Sequence, residues 1–180
     1  MIDMHAHWRP AELTEALRAR TRNPRIERNA DGVEVLKSAR YGEEPLSEAF
    51  DDVAFHLDRM DRQGVSTSVL SLLGSFCWIE AQPLEVAVPL CRLVNDTLSG
   101  ICQAHKGRFL AHAALPLTDI SVAAAEFERA LALPGMAGAQ LPGHGLLPKK
   151  DAEQSAAKDA LEVIERAQRA RELADDGHLG

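Results

Sequence analysis

The sequence predicts an α/β protein built on a parallel sheet, and three observations predict it. Short extended apolar segments alternate with single amphipathic helical segments, and a right-handed crossover helix is the ordinary way to join parallel strands. The 180 residues are 46% hydrophobic but only 4% aromatic, so the core must come from Leu, Val, Ile and Ala, as suits helices packed on a sheet. No internal repeat or low-complexity segment interrupts the alternation, and the length suits one domain.

Ile2 to His5 reads as the first strand, and Pro10 to Arg20 has helical spacing through Leu13 and Leu17. From Asn23 to Pro45 the pattern changes, because Pro24, Asp31-Gly32 and Gly42 punctuate short extended pieces. Asp-Gly between Ile26 and Val33 is a hairpin signal, so this stretch reads as a flap inserted after the first strand. An amphipathic helix follows from Ser47 to Gln63, with Phe50, Val53, Leu57 and Met60 on one face, Gly64 at its end and His56 expected to be exposed. Val65 to Leu73 is a buried strand by its β-branched, apolar content. The next helix spans Pro89 to Lys106, with Pro89 in its first turn. Arg108 to Leu115 is the third strand, with a partly buried His112. Thr118-Asp119 opens a third helix carrying Val122, Ala125, Phe127 and Leu131, and Met136 to Leu141 is the fourth strand. Lys149 to Ala174 is a long helical pattern rich in Ala, Glu and Arg, with Glu162/Arg166 and Glu165/Arg169 four apart.

Four strand–helix units are half of an eight-stranded barrel, and a complete one takes about 250 residues. The expected architecture is a partial TIM barrel over residues 1–148, with a flap at about 23–46 and a charged C-terminal helix and tail over 149–180. An isolated half leaves unpaired strand edges and an apolar inner face, so a homo-oligomer is expected.

The formal charge is −7, from 27 acidic and 20 basic residues, which gives little attraction for nucleic acid. No apolar run approaches the roughly 20 residues needed to span a bilayer, and no signal peptide opens the chain, so a cytoplasmic protein is expected. Cys77, Cys91 and Cys102 match no metal or redox spacing and read as buried thiols.

The chemistry-bearing motif is His5-Ala6-His7. Residues two apart on a strand share a face, so two imidazoles there can reach one cation. Neutral imidazole suits a divalent metal, zinc first, with a position left open for water. Trp8 adjoins the pair and could wall the site or pack beneath the flap. His144, in Pro142-Gly143-His144-Gly145, follows the fourth strand, at the end where parallel sheets build their sites. His56, His105 and His178 carry no assigned role.

The opening Ile2-Asp3-Met4-His5-Ala6-His7-Trp8-Arg9-Pro10 resembles that of the amidohydrolase superfamily, nearest the amidohydrolase-related branch that includes aminocarboxymuconate semialdehyde and resorcylate decarboxylases. Collinear stretches extend the resemblance to about Asp151: Leu57 to Val65, Val94-Asn95-Asp96, His105 to Phe109, Ala114 to Leu117, and Gly138 to Leu141. It implies a metal-dependent hydrolase or decarboxylase acting on a small organic acid or amide, with His5 and His7 as the first two metal ligands. It also implies a substrate-carboxylate arginine in the flap, for which Arg40 is the candidate; a guanidinium suits that task by its bidentate geometry. The family's later histidines and aspartate have no match, so the expectation is a truncated form, with a non-catalytic remnant or interaction domain as the alternative.

Overall fold

The computed structural model describes residues 1–38 and 42–141. Its centre is a four-stranded parallel sheet in the order β1 (Ile2–Trp8), β5 (Thr67–Leu72), β6 (Phe109–Ala113) and β7 (Met136–Ala139). The helices between successive sheet strands are α2 (Val53–Gln63), α3 (Leu84–Ala104) and α4 (Ile120–Leu131), while α1 (Ala11–Arg18) follows β1. This is the α/β, partial-barrel architecture that the alternating pattern predicts.

One face of the sheet is sealed. Ala6, Trp8, Leu70, Leu72, Phe109 and Ala111 join Leu13 and Leu17 of α1 and Cys91, Val94 and Leu98 of α3 in one buried cluster. The other face carries Leu110 and the N-terminal Ile2, which are exposed, as is Met4.

Local chemistry sets the helix ends. Asp52 accepts from the backbone N–H groups of Ala54 and Phe55 at 2.8 and 3.1 Å, and Gly64 closes α2 at φ 67°. Asp119 caps α4 in the same way through Ser121 and Val122. These caps start α2 at Val53, with a short 3-10 turn at Glu48–Phe50 where the sequence reading began the helix.

Three local expectations are corrected. α3 starts at Leu84, so Pro89 lies inside it and not in its first turn; both Pro89 and Glu85, whose carbonyl loses a donor, are exposed to water. His56 is 3% exposed, because His56 and Met60, four apart, form the buried stripe of α2. β1 runs on to Trp8, so the two histidines lie within the strand and not after it.

The flap is a three-stranded antiparallel sheet of β2 (Arg25–Arg28), β3 (Glu34–Ser38) and β4 (Gly42–Pro45). Gly32 takes φ 78° in the β2–β3 turn, which the Asp-Gly signal marked. Arg40, His144, His178 and the helix and tail expected over 149–180 lie outside the described residues.

Two buried polar side chains fix the loop after β6. Asn95 donates to the Ala114 carbonyl and accepts from the Ala114 N–H at 3.0 and 2.8 Å, and also donates to Glu126. Glu80 accepts from the Leu115 N–H at 2.8 Å, while its own backbone carbonyl accepts from Leu117 at 3.0 Å. The C-terminal rim of the sheet is therefore held by buried hydrogen bonds, which low-dielectric surroundings make costly to break.

Candidate metal and substrate site

His5 and His7 point to the same side of β1. Their Nε2 atoms are 3.2 Å apart, and the rings meet edge to face with centroids at 4.5 Å. The β1–β5 register shifts between Asp3 and Ala6, and Asp3 accepts from the His5 N–H within that irregularity. A bulge re-aims the side chains around it, and here it leaves Met4 and His5 both exposed.

That spacing suits a shared cation. With metal–nitrogen bonds of about 2.0–2.1 Å, two adjacent ligands lie about 3.0 Å apart at a right angle and about 3.4 Å apart at the tetrahedral angle. The 3.2 Å separation falls between them. Burial, then the neighbouring His5, lowers the His7 pKa, with the Leu72 backbone acting the other way, which favours the neutral ring that a metal needs. His7 Nδ1 is buried with no hydrogen-bond partner of ordinary geometry. Among the described residues no third His, Cys, Asp or Glu joins the pair. The pair offers two nitrogen donors on one side of the strand.

His112 of β6 adds a third imidazole nearby. Burial and the proximity of His5 lower its pKa. Gly138 of β7 leaves it room, since a Cβ there would stand 3.3 Å from His112 Cδ2. The sequence pattern places His112 partly buried in its strand and assigns it no chemical role. The signal available was strand alternation, which puts residues such as Ser71 and His112 on the face that carries His7.

The other expected residues fare differently. Trp8 is 3% exposed and belongs to the sealed core, with its ring 5.2 Å from His56. As the residue after His7 on a strand, it faces away, so it packs the core and does not wall the metal pair. The three cysteines are buried and free, with pKa values raised chiefly by burial, which leaves them as unreactive thiols.

Arg9 went unrecognised. It is 3% exposed and ion-paired with Asp51, and its Cζ stands 5.8 Å from the centre of the Phe76 ring. Its Nε and Nη1 are buried without hydrogen-bond partners among the described residues. It borders a cavity of about 330 Å³ roofed by the flap.

A gamma-resorcylate decarboxylase from Rhizobium radiobacter is 38% identical over 88 residues, 48% of this chain and 26% of that protein. The matched part of the chain is amidohydrolase-related. The fold agrees: IDCase of Metarhizium anisopliae superposes with a TM-score of 0.64 at 24% identity, covering 77% of this chain and 41% of that one. A 5-carboxyvanillate decarboxylase from Novosphingobium aromaticivorans, solved with manganese and 4-hydroxy-3-methoxy-5-nitrobenzoic acid, gives 0.58 at 18% identity, covering 91% and 47%. No protein-family model matches the sequence. The chain thus spans less than half the length of these proteins.

Proposed function

We propose that the chain is part of a metal-dependent carboxy-lyase or hydrolase of the amidohydrolase-related group, acting on a small organic acid. The observation that carries this reading is the convergence of His5 Nε2 and His7 Nε2 at 3.2 Å on the open face of the sheet. His5 and His7 would hold a divalent cation, which would supply polarisation of a substrate oxygen or activation of a bound water. Imidazole ligation alone favours zinc. Carboxylate ligands from elsewhere would favour manganese, the ion in the Novosphingobium enzyme. This chain's own part is to orient the two rings through the β1–β5 ladder, to lower the His7 pKa by burial, and to place His112 near His5. The named relatives favour decarboxylation of an aromatic acid over hydrolysis.

Two imidazoles hold a metal weakly, so the remaining ligands must come from outside the described residues or from a second subunit. A second reading, a non-catalytic assembly domain, is favoured by the lack of a third metal donor among the described residues. The discriminating experiment measures carbon dioxide release from a panel of hydroxybenzoic acids with added Mn²⁺ or Zn²⁺, for the unmodified chain and for His5→Ala and His7→Ala. The enzymatic reading predicts metal-dependent release that both substitutions abolish. Release indifferent to both substitutions would refute it, and metal binding without turnover would favour the assembly domain.

A further inference from the structure

We infer that the cavity beneath the flap is a binding site for a small organic monocarboxylate, with Arg9 as the group that receives the carboxylate. A guanidinium carries five N–H donors, and burying them unpaired is costly. Arg9 is nonetheless almost fully buried. Asp51 engages one nitrogen, while Nε and Nη1 have no partner. Three N–H donors therefore stand unmet among the described residues, on a side chain that also lines a cavity of about 330 Å³. A packed structural arginine would have those donors taken up by carbonyls, and this one does not.

The walls define the rest of the ligand. Leu36 and Leu46 from the flap, with Phe50 and Phe76, give an apolar lining suited to a ring or short hydrocarbon body. The volume is at the lower end for small-molecule sites, which excludes a large ligand. Glu44 also lines the cavity, so a second carboxylate on the ligand would meet a like charge there. Asp51 holds the guanidinium in place through one nitrogen and competes for it.

The position also fits. Arg9 follows His7 by two residues, about 7 Å along an extended chain, and Leu73 of the cavity directly follows the Trp8–Leu72 pair. Neither histidine lines the cavity, so an acid seated at Arg9 is linked to the imidazole pair through the two-residue step along β1 and not through a shared wall. The inference rests on the proposed enzymatic reading in calling that acid a substrate; the binding itself needs no metal.

The test is a titration of the full chain in EDTA with benzoate, phthalate, phenol and inorganic phosphate, followed by calorimetry and by NMR shifts of the Arg9 side-chain NεH signal. Saturable benzoate binding, with phenol, phthalate and phosphate each about tenfold weaker or more, is expected. Asp51→Asn should tighten benzoate binding by freeing the guanidinium, and Glu44→Gln should admit phthalate; neither removes a core contact. Arg9→Met should abolish benzoate binding, with circular dichroism confirming that the variant is folded. Absence of saturable benzoate binding, or binding unchanged in both Asp51→Asn and Arg9→Met, would overturn the inference. Repeating the titration with Mn²⁺ separates the two ideas, since loss of metal binding in His7→Ala with benzoate binding intact would leave Arg9 standing.

Discussion

Replacing Glu80 by Gln should abolish a pH dependence of stability that the fold builds in. Glu80 is 1% exposed; its Oε1 accepts from the Leu115 N–H, but Oε2 is buried without a partner. Burial raises its pKa to about 8, against a smaller opposing effect of the Leu115 hydrogen bond. The folded pKa lies above the unfolded one, so the folded state holds the extra proton in between. The favourable contribution is full below about pH 4.5 and is lost as pH rises towards 8. At 1.36 kcal/mol per unit, the loss between about pH 5.5 and 8 is on the order of 3 kcal/mol. Glutamine keeps the acceptor for Leu115 but cannot ionise; its amide leaves buried donors, at a pH-independent cost of about 1–3 kcal/mol. Urea unfolding across that range should show the wild type losing stability relative to Glu80→Gln, the two curves converging or crossing by about pH 8.5. Parallel curves would show that Glu80 is not held protonated in the fold, and would refute the reasoning.

Other outcomes follow from the same structure. Gly135 has φ 81° and would place a Cβ 2.2 Å from Cys102 Cβ, so Gly135→Ala should cost about 3 kcal/mol or more and lower the thermal midpoint sharply. Asn95→Ala removes three buried hydrogen bonds around Ala114 and Glu126 and should cost about 3 kcal/mol, read by denaturant unfolding. The exposed Leu110, Ile2 and Met4, together with outer edges of β1 and β7 that are unpaired among the described residues, predict self-association. Sedimentation at micromolar concentration should give a species larger than one chain, and a folded monomer would contradict it.

Much of the fold was legible because hydrophobic period and punctuation agree. Val65 to Leu73 and Arg108 to Leu115 contain β5 and β6, and Gly64 and Asp119 mark real helix boundaries. Pro89 misled because proline is commonest at a helix start, yet an exposed turn tolerates it further in. His56 was read as exposed from its charged neighbours, but burial follows the helical stripe it shares with Met60. The histidine pair was legible because strand alternation alone puts both rings on one side. Arg9 was not, since its significance lies in contacts with Asp51 and Phe76, over 40 and over 60 residues away. Nothing local in Trp8-Arg9-Pro10 distinguishes a buried guanidinium from a surface one.

The account stands or falls on whether the two rings share a cation. The direct measurement is a Mn²⁺ titration of the ¹⁵N-histidine-labelled chain, following the ring signals of all seven histidines by NMR. The account predicts that the His5 and His7 signals broaden first and together, His112 next, with His56 and His105 persisting. It also predicts that His7→Ala spares His5. Uniform broadening of every histidine, or none at excess Mn²⁺, would contradict it.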